Sequence, residues 1–248
     1  MPGWNWIAYN NTQTASVADA LAGMDPQDGD MIKGQYGFAL FDGYEWTGSL
    51  KALVPGQGYM LQSASAGTRT FTYPASLAPY ALQRAAARPL LNFSPIDHHK
   101  YPSNMTITAR VTFNDEVQQG AEVGVFAGDE CRTAEVTDAD GYAYFTVPGE
   151  GKCNLRFLMV KNGDVWLAEA TVDFIEDAIC GSYKQPLELT FGKTTYVDGI
   201  AVDADDNTHW FDVHGRMLNG KPTAPGVYVR STYDASTGQT TTRKVVVR

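Results

Sequence analysis

The sequence is poor in the residues that most often carry catalysis or bind metals, and it has no long apolar run. It contains 4 His and 3 Cys in 248 residues. Because no stretch approaches the roughly 20 apolar residues that a membrane-spanning helix needs, we predict no transmembrane segment. Basic residues are outnumbered, with 19 Lys and Arg against 28 Asp and Glu, a net charge of −9. This excess of acids argues against binding to nucleic acids.

Familiar catalytic motifs are also missing. The sequence has no H-E-x-x-H, no G-x-S-x-G, no P-loop and no G-x-G-x-x-G between a strand and a helix. A pair of acids suited to glycoside hydrolysis could be far apart along the chain, so the motif search does not test that activity. We predict a protein that is not an enzyme and that needs no cofactor.

The three cysteines and the first residues leave two alternatives each. Cys131, Cys153 and Cys180 form no C-x-x-C pattern, so a zinc site is not indicated. Two of them could pair, or all three could be free thiols. Residues 1–4 have neither the basic nor the apolar region of a signal peptide. The chain is then either cytosolic or a fragment of an exported protein, and we favour the fragment.

Aromatic residues, glycine and proline are plentiful, with 12% aromatics, 24 Gly and 12 Pro. This composition favours short strands joined by turns, so we predict a mainly all-β fold. Residues 1–74 read as a small β module with one short helix, which begins after Ser16. Residues 75–100 are rich in Ala and Pro and read as a linker, in which His98 and His99 are exposed.

The middle of the chain has the pattern of an immunoglobulin-like antiparallel β-sandwich. Apolar and polar residues alternate strictly over residues 105–113, which predicts a strand with one buried face. Further strand-like runs follow, separated by turns, and Asn162-Gly163 is a strong hairpin signal. We predict the sandwich over residues 101–192. Residues 193–248 then form a short C-terminal β-hairpin segment.

Several motifs resemble those of secreted and cell-surface proteins of Bacteroidetes bacteria. The N-terminal module carries four of them in order: G-W-N-W-I (3–7), G-D-M-I-K-G-Q (29–35), W-T-G-S-L (46–50) and P-G-Q-G-Y-M (55–60). The run V-G-V-F-A-G-D-E-C-R (123–132) is similar to a motif of the same group. The end of the chain resembles a C-terminal secretion and sorting domain, with departures at Phe211 and Pro225. The resemblance implies an extracellular or outer cell-surface location.

Exposed aromatic rings are the best candidates for ligand binding, because their faces pack well against the C–H surfaces of sugars. We expect Tyr44, Trp46 and Tyr59 to bind a glycan or a surface protein. Trp4 and Trp6 share a strand face, and we expect both to lie in the core of the small module.

Acidic clusters at turns are the candidate metal sites. Ca²⁺ prefers several oxygen ligands, and the loop containing Asp138 and Asp140 could supply them. Two other clusters are Asp25/Asp28/Asp30 and Asp203/Asp205/Asp206. Ordinary turns use the same residues, so the clusters also have a purely structural interpretation.

Taken together, these features predict a monomeric, non-enzymatic module for display, adhesion or spacing within a larger secreted bacterial protein. The alternative is a carbohydrate-binding accessory module of a secreted hydrolase.

Overall fold

The structure, a computed structural model, has an all-β fold, as predicted. It describes residues 3–77, 80, 90–197, 200–203, 208–211, 217–218, 222, 225–234 and 239–247. The chain divides into two compact units, residues 1–192 and 193–248. The described residues include one short α-helix, and all other regular elements are strands or single 3₁₀ turns. No helix in this part of the chain is long and apolar enough to cross a membrane.

The first unit begins with a twisted five-stranded antiparallel sheet. Its strands have the order β1-β7-β3-β4-β5, and β2 pairs with β6 beside it. The elements in chain order are β1 (Gly3–Ala8), β2 (Ala15–Ser16), α1 (Val17–Leu21), a 3₁₀ turn (Ala22–Met24), β3 (Met31–Lys33), β4 (Phe38–Phe41), β5 (Trp46–Gly48), β6 (Ala52–Leu53) and β7 (Gly58–Ser63).

Helix α1 covers one face of this sheet. Its N-cap is Ser16, whose side-chain oxygen accepts a hydrogen bond from the backbone N–H of Asp19 at 3.0 Å. Such a cap satisfies one of the N–H groups that the first turn leaves without a partner. The residues buried between helix and sheet form one apolar cluster: Tyr9, Val17, Leu21, Ile32, Leu53, Tyr59 and Leu61.

A β-sandwich forms the rest of the first unit. Its elements are a 3₁₀ turn (His98–Lys100), β8 (Ser103–Phe113), β9 (Glu116–Val117), β10 (Glu122–Ala127), β11 (Glu130–Val136), β12 (Tyr142–Gly149), β13 (Asn154–Lys161), β14 (Asp164–Asp173), β15 (Ile179–Cys180) and β16 (Leu187–Phe191). One sheet contains β11-β10-β13-β14 in that order. The other has β8 at its centre, paired with β12, β15, β16 and β9.

The sequence predicted most of this arrangement and missed one part of it. Asn162 and Gly163 form the turn between β13 and β14 with positive φ angles of 57° and 87°, as expected of a tight hairpin. Four of the five apolar residues of the alternating run in β8 are buried, also as expected: Met105, Ile107, Ala109 and Val111. However, β15 and β16 pair with β8 in parallel rather than antiparallel. A short-range pattern cannot reveal this, because parallel neighbours are joined by long connections.

The second face of the N-terminal sheet packs on the sandwich. Met31, Phe38 and Leu40 form a small buried cluster, against which Trp4 and Tyr144 of β12 also pack. The rings of Phe38 and Tyr144 meet edge to face, with their centroids 6.3 Å apart. Sequence regions 1–74 and 101–192 are therefore held together inside one compact unit.

Part of the segment predicted as a linker is fixed to the sandwich by main-chain contacts. The carboxylate of Glu122 accepts hydrogen bonds from the backbone N–H groups of Leu91, Asn92 and Phe93 at 2.8–3.1 Å. Burial would raise the pKa of Glu122, but these donors outweigh burial and lower it. The Phe93 ring lies over Gly124, where an added Cβ would come within 2.9 Å of it.

The second unit contains the C-terminal strands, and it includes the predicted hairpin. The strands are β17 (Thr194–Val197), β18 (Ile200–Asp203), β19 (Thr208–Phe211), β20 (Met217–Leu218), β21 (Gly226–Asp234) and β22 (Gln239–Val247). β17 pairs with β18, and the other four form a sheet in the order β20-β19-β21-β22. Residues 212–216, which belong to the segment that resembles a sorting domain, lie outside the described residues.

Candidate functional site

Three side chains from adjacent strands line one wall of a groove in the first unit. Trp6 of β1 is paired with Met60 of β7, and Met60 is paired in turn with Lys33 of β3. Directly opposed residues in antiparallel strands point to the same face of the sheet. The three side chains thus form a row on the face that turns toward the sandwich.

The sandwich supplies the opposite wall. It is formed by the start of β8 and the residues just before it, by Pro148 at the end of β12, and by Asp177 in the connection that follows β14. The space between the walls measures about 500 Å³. Ligand sites of roughly 300–1,000 Å³ commonly hold a small molecule or a few residues of a polymer.

Lys33 ends this row at the floor of the groove and is only 2% exposed. Its ammonium donates hydrogen bonds to Oδ1 of Asn104 at 2.9 Å and to Oδ1 of Asp177 at 2.6 Å. It also lies 4.6 Å from the centre of the Trp4 ring. An ammonium has three donors, and a buried one is stable only when they have partners. One amide oxygen, one carboxylate oxygen and one aromatic face meet that need.

Asp177 combines a structural role with exposure to the groove. Its backbone has a φ of 57°, in the left-handed region that Asp tolerates better than most residues. Its backbone N–H donates to the carbonyl of Asn104 at 3.0 Å, which ties the connection to β8. Although one carboxylate oxygen binds Lys33, the side chain is 44% exposed. Among the described residues that line the groove, it is the one carboxylate.

At the mouth of the groove, the β3–β4 hairpin contacts the 3₁₀ turn before β8. His98 Nδ1 lies 3.2 Å from the carbonyl oxygen of Gln35, and the Tyr36 ring packs on His98 with centroids 5.3 Å apart. His99 bonds to Asp97, whose pKa is lowered first by the backbone N–H of His99 and then by its side chain. His98 is partly buried against the hairpin, whereas His99 is exposed, as expected, with its ring nitrogen Nδ1 3.1 Å from the hydroxyl of Tyr36.

Trp6 is the aromatic residue that the structure places at the rim, and its side chain is 78% exposed. The prediction that Trp4 and Trp6 both lie in the core was wrong for Trp6. Trp4 is partly buried against the cluster of Met31, Phe38 and Leu40. Trp6 lies on the same face two residues further along an edge strand, beside the open groove. Sequence alternation showed that the two share a face, but not how far the covering layer extends.

The three aromatic residues predicted to bind ligand do not form one surface. Tyr44 is 91% exposed in the turn where Asp42 accepts hydrogen bonds from the N–H groups of Tyr44 and Glu45. Trp46 is partly buried and packs on Phe41. Tyr59 borders the groove, but it is only 5% exposed, and its hydroxyl accepts a hydrogen bond from the N–H of Val54. Whether Tyr44, Trp46 and Tyr59 bind a ligand stays a prediction.

The acidic loops are organised as turns and ion pairs in the structure. Asp138 Oδ1 accepts hydrogen bonds from the N–H groups of Asp140 and Tyr142. Asp30 is buried and pairs with Arg69, and Asp28 pairs with Lys184. No cluster of three or more His, Cys, Asp or Glu residues suited to a metal occurs among the described residues. Asp205 and Asp206 lie outside them. Calcium binding by Asp138 and Asp140 stays a prediction.

The three cysteines, all within the described part of the chain, are free thiols. Cys131 is buried on β11, and burial, followed by the nearby Glu122 carboxylate, raises its pKa to about 11. Such a thiol is inert as a nucleophile at neutral pH, because the thiolate is the reactive form.

Comparisons with known proteins add little. No family model matches the chain, and no curated protein is similar to it. One solved structure that shares some similarity is the Bacillus anthracis TIE protein, with 11% sequence identity and a TM-score of 0.25. The match covers 99% of this chain, which spans about half (48%) of that one. A likeness at this level supports no conclusion about function.

Proposed function

We propose that this chain is a non-enzymatic adhesion module that acts outside the cell and binds glycans in the groove between the N-terminal sheet and the sandwich. The observation that carries the proposal is the exposed ring of Trp6 at the rim of a cavity whose floor is polar. A sugar ring presents C–H groups on its face and hydroxyl groups on its edge. A flat aromatic wall beside hydrogen-bonding groups complements both.

The state of the charged groups favours binding over catalysis. Lys33 and Asp177 hold each other in an ion pair, and Asn104 completes the pair. Asp177 is the one carboxylate among the described residues that line the groove, whereas glycoside hydrolysis uses a pair of carboxyl groups. Hydrogen bonds between the two walls of the groove suit a binding protein, because groups that are already held in place lose little conformational freedom when the ligand binds.

The extracellular location rests on the sequence resemblance to surface proteins of Bacteroidetes. An adhesion role agrees with that location and with the compact packing of the two sheet layers in the first unit.

A glycan array tests the proposal. The purified protein is compared with the variants Trp6→Ala and Tyr44→Ala, which remove two widely exposed rings at different places. We expect binding to at least one glycan, with loss in Trp6→Ala and retention in Tyr44→Ala. Loss in Tyr44→Ala alone would move the site to the turn predicted from sequence. No binding to any glycan would contradict the proposed function.

A further inference from the structure

We infer that the groove selects uncharged segments of glycans and rejects acidic sugars, and that Asp177 determines this choice. The inference rests on the proposed function, since it names the chemistry of the ligand at the same site. It follows from which charged groups of the groove are exposed to a ligand and which are not.

Lys33, the cation of the groove, is not accessible to ligands. Lys33 is buried and its ammonium is used by Asn104, Asp177 and the Trp4 ring. Near the mouth, Lys100 and Arg132 both pair with Glu130. Each of these three cations already has a protein carboxylate as its partner. None of them is therefore available to pair with the carboxylate of a ligand.

Asp177, the carboxylate of the groove, is accessible to ligands. Asp177 is 44% exposed, so a uronic or sialic acid placed on the floor would bring a second negative charge beside it. Like charges repel when they are partly shielded from water, and the buried ammonium of Lys33 offsets only part of this repulsion because the exposed carboxylate faces the ligand. The net charge of −9 on the whole chain acts in the same direction on any acidic polymer that approaches.

The remaining polar groups match hydroxyl groups. Asn104 accepts from Lys33 through Oδ1, which orients the amide and directs its two N–H donors elsewhere. Asp177 accepts hydrogen bonds, and Gln35 and Ser103 at the groove wall can both donate and accept. Sugar hydroxyls also donate and accept, so a neutral saccharide can satisfy these groups while one ring stacks on Trp6.

Calorimetric titration of the full chain with matched neutral and acidic oligosaccharides tests the inference. The probes are galacto-oligosaccharides against oligogalacturonides, and lactose-based glycans against their sialylated forms. We expect the neutral member of a bound pair to bind at least about tenfold more tightly. Trp6→Ala should weaken that binding about tenfold or more, and Trp6→Phe should restore part of it. Leu91→Ala removes an exposed apolar side chain outside the groove and serves as the matched control.

Asp177→Asn identifies the cause of the selectivity. Asparagine tolerates the same backbone conformation and keeps an oxygen for Lys33, so we expect a folded protein. This variant should bind neutral glycans nearly as well and narrow the preference over acidic ones to about threefold or less. A folded Asp177→Asn with an unchanged preference overturns the role of Asp177. Should the variant not fold, the Trp6 variants and the matched glycan pairs still decide whether the groove prefers neutral glycans.

The outcomes separate this inference from the proposed function. Trp6-dependent binding that favours acidic glycans, or that ignores their charge, overturns the inference and leaves the adhesion function standing. Absence of binding to every glycan, or binding that is unchanged in Trp6→Ala, overturns both.

Discussion

The buried ion pair in the groove predicts an unequal response to the loss of its two members. Removing Asp177 by Asp177→Ala leaves the ammonium of Lys33 buried with one oxygen partner fewer. Removing the ammonium by Lys33→Met leaves a carboxylate that water can already reach. Because an unpaired buried charge is much more costly than an unpaired exposed one, Asp177→Ala should be the more damaging change.

The expected magnitudes follow from the exposure of the two groups. Lys33 is 2% exposed and Asp177 44% exposed, so the desolvation penalty falls mainly on the lysine. We expect Asp177→Ala to lower the free energy of unfolding by about 3 kcal/mol. Lys33→Met keeps most of the apolar stem and should lower it by only about 1–2 kcal/mol, the value of lost hydrogen bonds to a charged group. The double variant should recover part of the loss of Asp177→Ala, since no buried charge then remains.

Urea unfolding followed by tryptophan fluorescence measures all three values, and the double-mutant cycle isolates the pair. The reasoning is refuted if Lys33→Met costs as much as Asp177→Ala or more. It is also refuted if the double variant is as unstable as the sum of the two single ones, because the pair would then contribute no coupling.

Three further predictions concern stability elsewhere in the first unit. Asp30→Ala leaves Arg69 without its buried partner and should lower the free energy of unfolding, measured in urea, by about 3–5 kcal/mol. Asp28→Ala breaks an exposed pair and should change that free energy by less than about 1 kcal/mol. Burial raises the pKa of Glu135 to about 7 from 4.5, so its contribution to folding stability is complete below the unfolded pKa and is lost as the pH rises through about 7. Glu135→Gln should therefore have a higher Tm than the native chain at pH 8 and the same Tm at pH 4. Equal Tm differences at both pH values would contradict the assignment. Gly124→Ala would place a Cβ against Phe93 and Phe126 and should expose the segment before β8 to limited proteolysis, with an unchanged digestion pattern as the contrary result.

The sequence predicted features that depend on neighbouring residues. Strict alternation identified β8, and Asn162-Gly163 identified the β13–β14 hairpin, because period and turn chemistry are local properties. The same alternation assigned Thr106 and Thr108 to a polar face, and both are buried. The N-terminal sheet covers that face, and no pattern within one strand can show that another layer lies over it.

The candidate site depends on contacts between distant parts of the chain. Lys33 and Asp177 are 144 residues apart in sequence, and Lys33 lies in a short strand whose other two residues are apolar and buried. A lysine inside an apolar strand signals a partner, but not which of 28 acids provides it. Trp6 was misplaced for the related reason that exposure depends on where the sandwich ends, which only the assembled fold determines.

The way Glu122 holds residues 91–93 affects how this segment can vary. The carboxylate binds N–H groups of the main chain, which every residue except proline carries. The attachment therefore depends mainly on the path of the chain. Two side chains also take part: the Asn92 amide donates to the carboxylate of Glu122 at 2.9 Å, and Phe93 contacts Gly124. Residue 91 can change widely in related proteins while the segment keeps its place, provided that proline is absent from positions 91–93, whereas a change at residue 92 removes one of the donors to Glu122.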